Sequence, residues 1–240
     1  MVKYSGKTLI IFLLLTMVKL SQVHPQELGN PISNLKTNEF SMSLYGEVIW
    51  RELNGADYNA YRGVTKTEFG FFDRLKIFAL FGVDKMLIKN PIESRLTDYD
   101  GKSEIAFGGG FQAELLKIKR TSFFTGGGIY RTFSNGSVIN EVLEEEIEID
   151  MRFDWQEYWF AFGTSLKTKR FEIYGGLEER TLERMEKITE TEYVSGLKPN
   201  LFFGIDFLFP KNFILNFQVK ALDQNAICFG ISQRSIGDLK

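Results

Sequence analysis

The C-terminal part of the chain, residues 199 to 234, repeats one alternation of apolar and polar side chains three times. Apolar side chains occupy every second position over 201 to 209, over 213 to 221 and over 227 to 231, and short polar segments separate the three runs. A period of two is typical of β-strands, in which successive side chains point to opposite faces. The pattern therefore predicts three consecutive antiparallel strands joined by tight turns, with one apolar and one polar face.

The same alternation continues back to residue 39, and it predicts about ten strands in all. The phase of the alternation changes within 142–166, which indicates either a β-bulge in one long strand or a turn at 154–156 between two strands. With one long strand the count is ten, and the four shortest connections then all lie at one end of the sheet. These short connections are at 72–74, 117–120, 167–170 and 210–212. An even strand number with short turns at one end is typical of bacterial transmembrane barrels, so we favour the bulge.

The composition indicates which face of the strands points outward. Aromatic residues make up 15% of the chain, and 23 residues are Phe. This many rings would overfill the interior of a ten-stranded barrel, whereas a lipid-facing surface has no such volume limit. The opposite face mixes glycine with charges of both signs, which suits a narrow lumen crossed by ion pairs. We therefore predict an all-β fold, an antiparallel up-and-down transmembrane β-barrel of about ten strands, with a range of eight to twelve.

The alternation also assigns individual side chains to the two faces. The charges expected in the lumen are Arg62, Lys66, Glu68, Glu104, Glu114, Glu172, Glu178, Arg180, Asp206, Lys220 and Arg234. The side chains expected to face lipid are Leu201, Phe203, Ile205, Phe207, Phe213, Leu215, Phe217, Val219 and Phe229. Trp50, Trp155 and Trp159 are expected at the membrane interface, where tryptophan is enriched.

Glycine-aromatic runs at 107–111 and 126–130, together with the alternation and the turn spacing, carry a resemblance to known proteins. Over residues 39 to 234 the chain resembles the small outer-membrane β-barrel proteins of the OmpA-like and OmpW-like kind. The resemblance implies a Gram-negative cell envelope, contact with outer-membrane lipid and insertion by the barrel-assembly machinery. Many such proteins end on an aromatic residue that serves as the assembly signal, whereas this chain ends on Lys240.

The N-terminal residues are typical of a secretory signal. Lys3 and Lys7 precede an apolar run from Thr8 to Val18, which is too short for a spanning helix of about 20 residues. A retained N-terminal anchor is the alternative interpretation. We predict a signal peptide at 1–26, a linker at 27–38 and an outer-membrane barrel domain at 39–240, exported to the bacterial outer membrane.

The titratable residues limit the classes of function. The net charge of −2 does not suggest a nucleic-acid partner. The single Cys228 and the single His24 cannot form a zinc site. Outer-membrane barrel enzymes use a histidine, whose pKa suits proton transfer near neutral pH, and His24 lies at the boundary of the signal segment. We therefore predict a non-enzymatic protein with no catalytic residue, no cofactor and no metal.

Three functions are consistent with these features. The first is a structural or surface-interaction role, with a narrow charged lumen and an unknown surface partner bound by loops at 85–102, 134–144 and 183–198. The second is a small pore or channel for minor solutes. The third is a soluble periplasmic barrel that binds a lipid in an apolar interior. The acidic run Glu144–Glu146 is expected to be a solvated rim, since consecutive strand residues point to opposite faces.

Overall fold

The protein is described by a computed structural model that covers residues 37–53, 56–89, 99–142, 145–186, 191–222 and 224–235. The predicted signal peptide, almost all of the predicted linker, Glu144 and the C-terminal residues after 235 lie outside these ranges. The described strands are β1 (Phe40–Leu53), β2 (Ala56–Phe72), β3 (Leu75–Lys89), β4 (Tyr99–Gly101), β5 (Glu104–Ile118), β6 (Thr121–Val142), β7 (Glu145–Lys167), β8 (Phe171–Glu186), β9 (Thr191–Leu208), β10 (Phe213–Leu222) and β11 (Gln224–Ser235).

These strands form one closed antiparallel ring. Apart from β4 and β5, strands that are neighbours in the chain pair with each other, and β1 pairs with β11 from Phe40↔Ser235 to Arg51↔Gln224. The short β4 and the longer β5 follow one another, and both lie between β3 and β6. The eleven described strands therefore occupy ten positions around the ring. Closure gives hydrogen-bond partners to the first and last strands, which would otherwise be edges. The up-and-down barrel of about ten strands is confirmed.

The four short turns lie at one end of the barrel, here called the turn end; the opposite end is the loop end. Strands end and begin again at Phe72 and Leu75, and at Ile118 and Thr121. The third connection joins Lys167 to Phe171. The fourth contains a single 3-10 turn at Pro210–Asn212. The turn positions that the sequence predicts are thus confirmed.

The phase change within 142–166 does not come from a β-bulge, so that part of the prediction is wrong. β7 is a single strand, and it pairs with β6 from Leu166↔Thr121 to Glu145↔Val142 without a shift of register. Tyr158, Phe160 and Phe162 face outward along its lower part, whereas Phe153 and Trp155 are buried inside the barrel near the loop end. The strand is regular throughout, and its aromatic residues lie on the outer face in one part and on the inner face in the other.

The strands continue into polar segments that we expected to be loops, so the predicted loop bounds are wrong. β6 continues through 134–142, which we expected to be a loop. β3 continues to Lys89, and β8 and β9 occupy most of 183–198. Serine, asparagine and glutamate are compatible with paired strands here because ladder hydrogen bonds form between backbone groups, and solvent accepts polar side chains beyond the apolar belt.

The two faces of the barrel differ sharply in exposure. Large apolar side chains such as Leu44, Phe81 and Phe203 are exposed on the outside, at 56%, 64% and 56% respectively. Inside, aromatic rings cover glycines of neighbouring strands: a Cβ added at Gly204 would collide with the ring of Tyr174, and one at Gly230 with that of Tyr45. Among the described residues, no helix has the length and apolar character needed to cross a lipid bilayer.

Candidate functional site in the barrel interior

The interior of the barrel holds a layer of ion pairs centred on Arg62. Its Nε donates to Asp84 Oδ2 at 2.7 Å, and its two terminal nitrogens donate to Glu157 at 2.6 and 3.2 Å. Glu47 approaches the same guanidinium at 3.8 Å. The Arg62 side chain is 0% exposed, and these four residues come from β1, β2, β3 and β7. The layer therefore ties strands together across the barrel.

Aromatic side chains complete this layer. The guanidinium carbon of Arg62 lies 4.5 Å from the ring centroid of Tyr130, within the range of a cation–π interaction. Trp155 Nε1 donates to Glu157 Oε1 at 3.1 Å, and the Trp155 ring stacks on Tyr58 at 4.8 Å. Glu157 thus accepts hydrogen bonds from an arginine and a tryptophan at once, as a buried carboxylate requires.

A second charged cluster lies nearer the turn end. Glu68 Oε1 is 3.1 Å from Lys66 Nζ and 2.9 Å from Lys76 Nζ. Ser41 Oγ donates to the other oxygen of Glu68 at 3.5 Å. Lys66 Nζ also lies 4.6 Å from the centroid of the Phe78 ring. Both ammonium groups therefore contact the same carboxylate, that of Glu68 on β2.

The wall formed by β7, β8, β9 and β10 contributes further polar contacts. Lys220 Nζ and Glu178 Oε2 form a buried ion pair at 3.0 Å. Ser165 Oγ donates to Glu172 Oε1 at 2.8 Å. Asn216 Nδ2 donates to Asp206 Oδ1 at 2.5 Å and to the Tyr174 hydroxyl at 2.7 Å.

The structure brings most of the charges expected in the lumen into this interior. The buried ones are Arg62, Lys66, Glu68, Glu172, Glu178, Asp206 and Lys220. Two others are half-buried: Glu104 accepts from Asn135 Nδ2, and Glu114 accepts from Ser122 Oγ, each at 2.8 Å. The side chains of Arg180 and Arg234 lie outside the described part of the structure.

Several interior charges were missing from the predicted set. Glu47, Lys76, Asp84 and Glu157 are all buried, at 5% exposure or less. Glu47, Lys76 and Asp84 alternate with outward apolar residues, so the period-two pattern contained their signal. Glu157 directly follows the residues at which a bulge was expected, so the alternation did not assign its side chain to either face.

The interior also contains large rings, so the expectation of a lumen lined by charges and glycine is incomplete. Trp155 and Trp159 are 0% and 1% exposed and point inward, which corrects their placement at the membrane interface. Only Trp50, at 41% exposure, faces outward among the three tryptophans. The largest fully buried side chains come from six strands: Trp155, Trp159, Tyr130, Tyr174, Lys66, Phe124, Phe153, Ile49 and Met86. Two apolar clusters therefore lie on either side of the Arg62 layer.

The side chains expected to face lipid all lie on the outside of the barrel. Leu201, Phe203, Phe207, Phe213, Phe217 and Phe229 are exposed, and Ile205, Leu215 and Val219 are half-exposed. Their interior neighbours in the strands, such as Phe202, Asn216 and Gln218, are buried.

The chemistry available in this interior is neutralisation of charge. The described residues contain no group of three or more His, Cys, Asp or Glu side chains arranged to hold a metal ion. Cys228 is a buried free thiol. The carboxylates that the structure describes inside the barrel instead contact cations, hydroxyls, amides or an indole, which fixes the strands relative to one another.

Comparison with known proteins shows similarity in fold to solved outer-membrane barrels. No protein-family model and no curated protein sequence matches the chain. The translocator domain of the autotransporter NalP from Neisseria meningitidis is similar over 85% of this chain and 90% of its own, with 11% identity and a TM-score of 0.55. The β-domain of the Bordetella autotransporter BrkA is similar over 83% and 99%, with 10% identity and a TM-score of 0.53.

The outer-membrane protease OmpT from Escherichia coli is similar over 85% of this chain and 99% of its own, with 9% identity and a TM-score of 0.45. The likeness to NalP and BrkA is one of architecture at very low sequence identity, so it concerns the fold alone. The chain has the fold of a transmembrane outer-membrane β-barrel.

Proposed function

We propose that this protein is a non-conducting, non-enzymatic β-barrel of the bacterial outer membrane, with a structural or surface-interaction role. Its outer face of exposed Leu, Ile and Phe side chains supports contact with outer-membrane lipid. Export through the N-terminal signal and insertion by the barrel-assembly machinery belong to the same proposal. The relationship to OmpA-like and OmpW-like proteins is also part of this proposal, and it is supported by the glycine-aromatic runs in β5 and β6.

The observation that carries this proposal is the filling of the interior. Arg62 is joined to carboxylates of three other strands, and the rings of Trp155 and Trp159, on either side of Glu157 in β7, are fully buried. A continuous aqueous passage would leave such side chains in contact with water. NalP and BrkA are autotransporters, and this filled interior argues against a comparable transport role here.

The two alternatives fit the geometry less well. A pore for minor solutes needs an open path past the Arg62 layer and past both apolar clusters. A soluble lipid-binding barrel needs an empty apolar interior and a polar outside, whereas this barrel has buried ion pairs inside and exposed Phe side chains outside. No enzymatic role is proposed, since the only histidine of the chain is His24, at the predicted signal boundary.

Planar-bilayer recording tests the closed interior. The full mature chain is inserted into the bilayer, and insertion is verified separately in vesicles by the boiling-sensitive gel mobility of the protein. We expect no stable current steps from the natural sequence. Stable ohmic steps from verified, folded protein would contradict the proposal and favour the pore.

A pair of matched double variants tests whether the interior side chains are what closes the barrel to ions. Trp155→Gly with Trp159→Gly removes two of the largest interior side chains, and we expect it to introduce leak currents. Phe203→Gly with Phe207→Gly removes a comparable aromatic area from the outside, and we expect it to remain silent. Equal currents from both pairs would show that any leak comes from general destabilisation rather than from the interior.

A further inference from the structure

Two arginines share one aromatic ring on the outer wall of the barrel, toward the loop end of β6 and β7. The guanidinium carbon of Arg131 lies 5.2 Å from the centroid of the Phe133 ring, and that of Arg152 lies 5.9 Å from the same centroid. Their strand neighbours Thr132 and Phe153 are buried inside. By the alternation of the strands, both arginines therefore project from the outer face.

The local charge of this group is positive. Arg131 Nε and Nη2 donate to the two oxygens of Asp154 at 2.9 and 2.5 Å, and the Arg131 side chain remains 40% exposed. Arg152 is exposed, and among the described side chains no carboxylate lies within ion-pairing distance of it. Among the described side chains of this group, two guanidinium groups thus accompany one carboxylate beside the Phe133 ring.

This group lies near the loop-end edge of the apolar belt. Below it, Ile129 pairs with Tyr158 on the outer face of the same two strands, and Phe123 marks the belt near the turn end. The stretch from Thr121 to Arg131 corresponds to about 25 Å of membrane thickness, at about 3.4 Å per residue and a strand tilt of about 45°. Arg131 and Arg152 therefore lie at the level where hydrocarbon gives way to headgroups.

We propose that Arg131, Arg152 and Phe133 form a binding site for the phosphate of an anionic lipid headgroup in the leaflet at the loop end. Guanidinium groups present several N–H donors in a plane that matches phosphate oxygens. Asp154 occupies two nitrogens of Arg131 and offsets part of its charge, and Phe133 lies beside both guanidinium groups. The adjoining apolar belt receives the acyl chains of the same lipid. This inference rests on the membrane location proposed above.

Binding of dioleoylphosphatidic acid to the full chain in micelles of a neutral detergent tests the site. The probe is titrated while bound lipid is counted by native mass spectrometry, with phosphatidylcholine and inorganic phosphate as comparison ligands. We expect phosphatidic acid to bind and both comparison ligands to bind much more weakly. Arg131→Gln with Arg152→Gln should weaken binding by about thirtyfold, from the value typical of two basic residues near a lipid surface.

Two controls separate a specific site from general attraction of anions. Arg74→Gln with Arg120→Gln removes two exposed charges at the turn end, and we expect it to leave affinity within about threefold of the natural chain. Asp154→Asn removes the competing carboxylate and should tighten binding, whereas a purely structural ion pair predicts no gain. Equal losses from the two arginine pairs, or weaker binding by Asp154→Asn, would overturn the site. A chain without heat-modifiable mobility would instead point to failure of the membrane barrel itself.

Discussion

Replacement of Arg62 by methionine tests the energetic role of the interior ion pairs. Met has a similar length and no charge, so the change keeps volume while it leaves Glu47, Asp84 and Glu157 without their shared cation. Arg62 donates hydrogen bonds of 2.6 to 3.2 Å to Asp84 and Glu157, and its side chain is 0% exposed. Removing one partner of a buried pair costs about 3–5 kcal/mol, because the remaining charge is uncompensated. We expect a loss in that range.

The assay is urea-induced unfolding in phospholipid vesicles, followed by tryptophan fluorescence. Lys85→Met is the matched control, since Lys85 pairs with Asp100 at 2.8 Å but is 41% exposed. An exposed pair contributes about 0–1 kcal/mol, so this control should change stability little. Adding Glu157→Gln to Arg62→Met should recover part of the loss, because one uncompensated carboxylate becomes neutral. Similar small losses for Arg62→Met and Lys85→Met would refute this account of the interior.

Three further changes test other parts of the structure. Gly204→Ala places a methyl group against the ring of Tyr174 and should lower unfolding stability by about 1–3 kcal/mol; Tyr174→Ala in the same chain should relieve the clash, measured in the same urea assay. Phe217→Arg puts a charge on the outer belt at a cost of about 2–4 kcal/mol, and it should reduce insertion into vesicles, which flotation measures. Trp155→Ala removes a buried ring stacked on Tyr58 and should cost about 3–5 kcal/mol, with unchanged mobility before boiling; a loss below 1 kcal/mol would contradict its burial.

Strand positions, tight turns and the side of each strand that points outward were predictable from the sequence. The period-two pattern carries this information directly, because one residue of slip would exchange the faces of a whole strand. It placed Phe217 outside and Lys220 inside without any knowledge of pairing. The pattern also showed Glu47 on the polar side, although partners such as Arg62 depend on the register between strands.

The inward-facing side chains of β7 were not predictable, because they depart from the rule that apolar residues face outward and polar residues face inward. Apolar rings were assigned to the outside, yet Phe153, Trp155 and Trp159 fill the lumen. A ring inside a small barrel is favourable where glycines or other small residues of neighbouring strands make room, as Gly163 does for Phe124 and Gly204 for Tyr174. This matching is a property of pairs brought together by register, so single-strand periodicity does not contain it.

Heat modifiability tests the central claim most directly, namely that the chain closes into a barrel within the outer membrane. The detergent-extracted outer-membrane fraction is run on a gel before and after boiling. We predict a fast-migrating band before boiling that moves to a slower position afterwards, since a closed hydrogen-bonded ring resists detergent until heated. A protein found only in the soluble periplasm, with the same mobility in both lanes, would contradict it.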